Sequence, residues 1–131
     1  MTVYFYGRNS DVESFDRQSS IQTQLSKCQS YANIKDLKID IEITEQVSGT
    51  TCFERRIKGS ELMNSLKRGD HIICSHLDRF SRNTLNLLQL VEKFRKQKVS
   101  LHFVDVGGEV MGTDAMGSVF LKLLSVFAEF Y

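Results

Sequence analysis

Two short stretches of this chain combine residues that could handle a phosphate ester. Near the start stands Tyr6-Gly7-Arg8-Asn9-Ser10, and mid-chain stands Leu77-Asp78-Arg79-Phe80-Ser81-Arg82. An arginine side chain is always charged and presents planar, paired N–H donors that match phosphate oxygens. A serine hydroxyl is a weak nucleophile until its proton is removed or its anion is stabilised. Nearby guanidiniums can do the second. They can also stabilise the charge that builds on a phosphodiester, in place of the metal ions that other phosphoryl-transfer sites use. No carboxylate cluster suited to two metals occurs in the sequence. Cys28, Cys52 and Cys74 form no CxxC pair, and His71, His76 and His102 lack helical ligand spacing. Neither a metal, a cofactor nor a disulfide framework is therefore expected.

Each residue alone is a weak signal. Ser10 in a polar loop could simply close a local turn. Asp78 could be an ordinary salt-bridge partner. Arg79 and Arg82 precede an expected helix, whose positive N-terminal end disfavours cations. A shared anionic ligand explains them better than solvation does.

The elements expected to position these residues alternate between strand and helix. Val3–Tyr6 reads as a strand closed by Gly7, and Asn9–Asp16 as a loop. Ile21, Leu25, Cys28 and Ala32 mark an amphipathic helix over about 18–32. Leu37–Ile43 alternates as a half-buried strand, and Val47–Glu54 reads as a flexible loop. A helix over Ile57–Lys67 should stop near Gly69. His71–Ser75 is a strand, Ser81 is placed to cap a helix running to Lys96, and Val99–Val104 is another strand ended by Gly107-Gly108. The pattern predicts a three-layer α/β fold, with a mostly parallel sheet of four or five strands flanked by helices. In such a sheet both arginine-bearing stretches open onto one rim.

The last segment, from about Asp114 to Tyr131, is the most apolar. Met116, Val119, Phe120, Leu123, Phe127 and Phe130 form one stripe, widened by Leu121, Leu124 and Ala128. That face is broader than a surface helix needs, so part of it should meet another chain, the plainer alternative being a central core helix. The formal net charge of +1 argues against a module that binds polyanions by bulk charge alone. With 131 residues, one domain over 1–131 is expected. No apolar run is long enough to span a bilayer, so a cytoplasmic protein without membrane contact is expected.

Tyr6-x-Arg8-x-Ser10 followed by Leu77-Asp78-Arg79-x-x-Arg82 resembles the signature pair of the serine recombinases, the resolvase and DNA invertase family. The intervening chain fits as well. Glu45-x-x-Ser48-Gly49 resembles the family's acidic-x-x-Ser-Gly stretch, with Glu where Asp is usual. Arg56 precedes Gly69-Asp70 at the family's usual distance. Ser19-Ser20-x-x-x-Gln24 resembles the segment carrying the family's glutamine, which selects Gln24 over Gln18 and Gln22. Gly117 and the helix to Ala128-Glu129-Phe130 resemble the start of its long oligomerisation helix.

The resemblance implies that Ser10 attacks double-stranded DNA, forming a 5′-phosphoserine link and releasing a 3′-hydroxyl, without a metal. Arg8, Arg56, Arg79 and Arg82 would bind the phosphate, and either Arg56 or Arg79 would assist the leaving oxygen. Asp78 and Gln24 would orient these groups, with Tyr6 and Glu45 in support. It also implies dimers that pair into a synaptic tetramer through Met116–Tyr131. A DNA-binding domain would normally follow the long helix, and no such pattern occurs before Tyr131. Two other readings carry marks of their own. A catalytically dead assembly module would have broken site residues, and a receiver or flavodoxin-like domain would carry acidic residues where Arg8 and Ser10 stand.

Overall fold

The computed structural model describes residues 1–9, 20–82, 84–106 and 108–109. Ser10 and the apolar stretch Met116–Tyr131 lie outside the described residues. Strand β1 (Val3–Asn9) opens the chain, followed by α1 (Ile21–Ile34) and β2 (Ile41–Gln46). A 3-10 turn over Phe53–Arg55 leads into α2 (Ile57–Ser65) and β3 (His71–Cys74). A single turn, α3 (Leu77–Phe80), precedes α4 (Thr84–Gln97), β4 (Ser100–Phe103), a second 3-10 turn and β5 (Gly108–Glu109).

The sheet order is β2-β1-β3-β4-β5. The first four strands are parallel, and β5 pairs antiparallel with β4. Period-two alternation sends the side chains of β1 to two different layers. Val3 and Phe5 pack with Ile73 against Cys28, Tyr31 and Ala32 of α1. Tyr4 and Tyr6 join Ile72, Cys74, Leu101 and Phe103 against Leu62, Phe80 and the buried face of α4. The expected three-layer arrangement is therefore present. β1 is buried on both faces, as a central parallel strand must be.

Several boundaries differ from the sequence expectation. β1 does not close at Gly7, because Arg8 and Asn9 pair with Glu45 and Gln46 of β2. β2 begins at Ile41 rather than Leu37, because the Asp40 carboxylate occupies the amide of Val3 at 2.9 Å where strand pairing would otherwise continue. Ser20 caps α1 by accepting from the Thr23 amide, so the helix starts later than residue 18. α2 stops at Ser65, and Gly69 follows with a φ of +91°, a conformation that side chains rarely adopt. The stretch after β3 is a helical turn rather than a loop. Ser81 closes that turn by donating its amide to the Leu77 carbonyl, and α4 begins at Thr84.

Sheet order places β1 and β3 side by side, with the chain leaving β1 for β2 in one direction and for β3 in the other. This is the topological switch point, where a crevice opens at the strand C-termini. β1 delivers Arg8 there, and β3 delivers α3 with Asp78 and Arg79.

On the opposite layer, His102 of β4 is buried between Tyr31 and His71. Its Nδ1 lies 2.7 Å from the Tyr31 hydroxyl, and its Nε2 lies 2.9 Å from Nδ1 of His71. Burial, then the neighbouring His71 and Lys35, lower its pKa to about 4. A depressed folded-state value leaves stability intact above the unfolded value near ~6.5 and erodes it as pH falls from there towards about 4. In denaturant titrations between about pH 7.5 and about pH 4.5, the protein should lose roughly 2–3 kcal/mol more than His102→Gln does. Parallel stability curves for the two proteins would show that His102 does not titrate in this way.

Candidate active site

Arg8 follows Tyr4 and Tyr6 on the same face of β1, so its side chain enters the layer of Phe53 and Phe80. It is 0% exposed. Its Nε donates to the Arg79 carbonyl at 3.1 Å, Nη1 to that of Val47 at 2.9 Å, and Nη2 to that of Asp78 at 3.0 Å. Two separate stretches of chain, the one at Val47 and the turn at Asp78-Arg79, are thereby gathered around one guanidinium.

The main chain of Arg8 is held by Gln24. Asn9 directs its carbonyl to Val47 on the β2 side, so the polar groups of Arg8 face the β3 side. There the β3 register has already ended at Ile73, opposite Phe5. The buried Gln24 side chain fills the position, accepting from Arg8 N at 3.1 Å and donating to Arg8 O at 3.0 Å. Gln22 is exposed, and Gln18 lies outside the described residues.

Arg56 sits between the 3-10 turn and α2 and is 1% exposed, whereas Arg55 beside it is exposed. Its Nη1 donates to the Tyr6 hydroxyl at 3.0 Å and to the Arg79 carbonyl at 2.9 Å, and its Nε to the Thr51 carbonyl at 3.0 Å. The guanidinium also lies 5.8 Å from the Phe53 ring centre and 6.0 Å from that of Tyr6, within reach of cation–π attraction.

Tyr6 passes this contact on to Glu45, donating its hydroxyl to Oε2 at 2.6 Å. The same carboxylate accepts from the amides of Lys58 and Gly59 at 3.1 Å each. Glu45 therefore caps α2 from a neighbouring strand, where a helix end favours an anion. Burial, reinforced by the Glu45 carboxylate and opposed by Arg56, raises the Tyr6 pKa, so Tyr6 stays a neutral phenol linking carboxylate to guanidinium.

Arg79 is 8% exposed, with Nε 3.9 Å from the carboxylate of the half-exposed Asp78. Arg82 is the outermost of the four arginines. Its Cδ and Nε run beside Gly49, where an added Cβ would lie 2.7 and 2.6 Å away, with Arg8 Nη2 at 3.0 Å. Gly49 is thus a spacer that lets two arginines pass. Chemically, the arrangement is an enclosed cationic site at a strand-end crevice, open on the side of Arg82. Ser10 follows directly after Asn9, the last residue of β1, and lies outside the described residues.

The protein family described as "Resolvase, N terminal domain" matches residues 3–131. The chain belongs to this family. It is 32% identical over 103 residues to the Tn917 transposon resolvase of Enterococcus faecalis, covering 72% of this chain and 55% of that protein. It is 29% identical over 131 residues to the Tn3 transposon resolvase of Escherichia coli, covering 98% of this chain and 63% of that protein. The structure of the N-terminal catalytic domain of TP901-1 integrase superposes with a TM-score of 0.82 at 26% identity, covering 99% of this chain and 96% of that one. Against the first curated relatives the chain spans about half of their length.

The sequence motifs located the side chains but not the main-chain acceptors. The carbonyls of Val47, Thr51, Asp78 and Arg79 carry no side-chain signature. Gly49 stands in the sequence only as part of a pattern, and its close approach to Arg82 follows from the fold. Among the described residues, no group of His, Cys, Asp or Glu could hold a metal ion, and no helix is long and apolar enough to cross a membrane. Cys74 is buried, which pushes its thiol up to about 12 and leaves it a core residue.

Two substitutions probe this construction. Tyr6→Phe takes one hydrogen-bond partner from both Glu45 and Arg56, and should cost about 1–3 kcal/mol in urea denaturation. A stability equal to the parent's would show that the hydroxyl contributes nothing. Gly49→Ala forces Arg82 aside and should shift its Nε–H NMR signal with little change in melting temperature. An unmoved signal would show that Gly49 does not set the position of Arg82.

Proposed function

We propose that this domain cleaves and rejoins double-stranded DNA at specific sites by serine transesterification. Support comes above all from the convergence of Arg8, Arg56, Arg79 and Arg82 at the switch-point crevice, with Ser10 two residues after Arg8 in the sequence. The transposon resolvases named above agree with that reading.

In this proposal Ser10 Oγ attacks the scissile phosphorus. The new O–P bond forms as the bond to the 3′ oxygen breaks. The serine proton leaves, the departing oxygen takes up a proton as the 3′-hydroxyl, and the 5′ phosphate stays on Ser10. Reversal by another 3′-hydroxyl rejoins the strand, so the bond energy is kept and no nucleotide cofactor is needed.

The four arginines divide the work by exposure. Arg82, at the open side, and Arg79 would contact the phosphate oxygens. Arg8 and Arg56 contribute positive charge from behind, where little water screens it. Of the two candidates for assisting the leaving oxygen, Arg56 is committed to Tyr6, Thr51 and the Arg79 carbonyl. Arg79 is the less enclosed and takes that role here. Gln24 and Asp78 hold Arg8 and Arg79, and Tyr6 and Glu45 hold Arg56. Exchange of strands would take place in a tetramer of paired dimers joined through Met116–Tyr131. Most of the affinity for DNA would come from outside this domain, consistent with the net charge of +1.

A suicide duplex nicked beside the scissile phosphate traps the covalent intermediate. The natural full-length protein should form the adduct, and Ser10→Ala should form none. An adduct formed by Ser10→Ala would identify another nucleophile.

A further inference from the structure

One polar chain near the site has no part in the roles assigned so far. Asn86, buried in the first turn of α4, donates Nδ2 to both carboxylate oxygens of Glu54, at 3.1 and 3.2 Å. Its Oδ1 accepts from the Ser81 hydroxyl at 3.0 Å. The amide orientation is forced, since a carboxylate only accepts. Glu54 stands two residues before Arg56, and Ser81 stands one before Arg82. The chain of bonds therefore joins the two segments that carry the arginines.

Two other contacts join the same segments. Phe53 stacks on Phe80 with ring centres 4.2 Å apart, and Arg56 donates to the Arg79 carbonyl. Stacked rings fix a separation but allow sliding in their plane. The guanidinium contact lies on the inner side, beside Tyr6. Directional hydrogen bonds through Asn86 oppose sliding on the outer side, next to Arg82. These three dissimilar contacts hold one segment against the other, and of the three it is the outer one that adjoins the arginine at the open side of the crevice.

We propose that Glu54, Asn86 and Ser81 are positioning residues that set Arg82 in register with Arg56. The inference rests on the functional reading above for its catalytic consequence, but its structural content stands apart from it. None of the three needs to touch DNA. A displacement of about 1 Å at a reacting centre can cost on the order of 100-fold in rate.

The test uses the full-length protein with Glu54→Ala, Asn86→Ala, their double variant and Glu54→Gln, which keeps an acceptor for Asn86. At saturating nicked duplex, each alanine variant should form the serine adduct roughly 10- to 100-fold more slowly. The DNA concentration for half-saturation should stay within about 2-fold, since most of the affinity for DNA would come from outside this domain. The double variant should be no slower than the worse single one, because both break one chain of bonds. Glu54→Gln should recover most of the rate. Parental rates, or losses that multiply independently, would overturn the proposal. Arginine Nε–H spectra provide a readout free of catalysis. The Arg56 and Arg82 signals should shift in Glu54→Ala and return in Glu54→Gln. Unmoved signals in a folded Glu54→Ala protein would also overturn it. If the parent forms no adduct while these signals shift as stated, the functional reading fails and the positioning role stands.

Discussion

A single main-chain oxygen organises this crevice. The Arg79 carbonyl accepts from Arg8 Nε and from Arg56 Nη1, at 3.1 and 2.9 Å. Two like charges are drawn to one acceptor inside the protein, where their repulsion is poorly screened. That arrangement holds only if the surroundings fix both guanidiniums. Gln24 anchors Arg8 by its main chain, and Val47 and Asp78 offer further carbonyls. Tyr6 and Thr51 do the same for Arg56, with Glu45 behind Tyr6. The loop between β2 and α2 and the turn after β3 are therefore shaped around these two side chains.

Such a construction sacrifices stability. Desolvated charge costs several kcal/mol per ion, and hydrogen bonds to neutral carbonyls offset only part of it. The remainder is positive potential directed at the crevice. An anion entering there would find donors already oriented, with little reorganisation left to make. The placement of Glu45 fits this logic. Its charge is used at the start of α2 and reaches Arg56 only through a neutral phenol, so it holds the guanidinium without neutralising it directly.

Much of this was legible in the sequence. Strand–helix alternation implied the parallel sheet, and the sheet implied that Arg8 and Asp78-Arg79 would share a rim. Which side of the sheet Arg8 takes was not legible, because the strand was expected to close at Gly7 and instead runs on to Asn9. The start of β2 was not legible. Leu37 and Ile39 continue the apolar alternation because they pack beside α1, while main-chain bonding to β1 waits until the Asp40 amide and the strand proper until Ile41. Side-chain pattern reports burial, and it cannot report where an Asp40 carboxylate replaces a ladder bond. The helical turn at Leu77–Phe80 was hidden for a related reason, since four residues are too few to show a helical period. The link from Glu54 through Asn86 to Ser81 joins positions far apart in the chain, with residue types that are common on surfaces.

The central claim is that the enclosed arginines serve a phosphodiester attacked by the serine that follows β1. Peptide mapping of the trapped protein–DNA adduct tests it most directly. After nuclease and protease digestion, the phosphodeoxynucleotide remnant should lie on Ser10, attached through its 5′ phosphate. A remnant on any other residue, or one attached through a 3′ phosphate, would contradict the account.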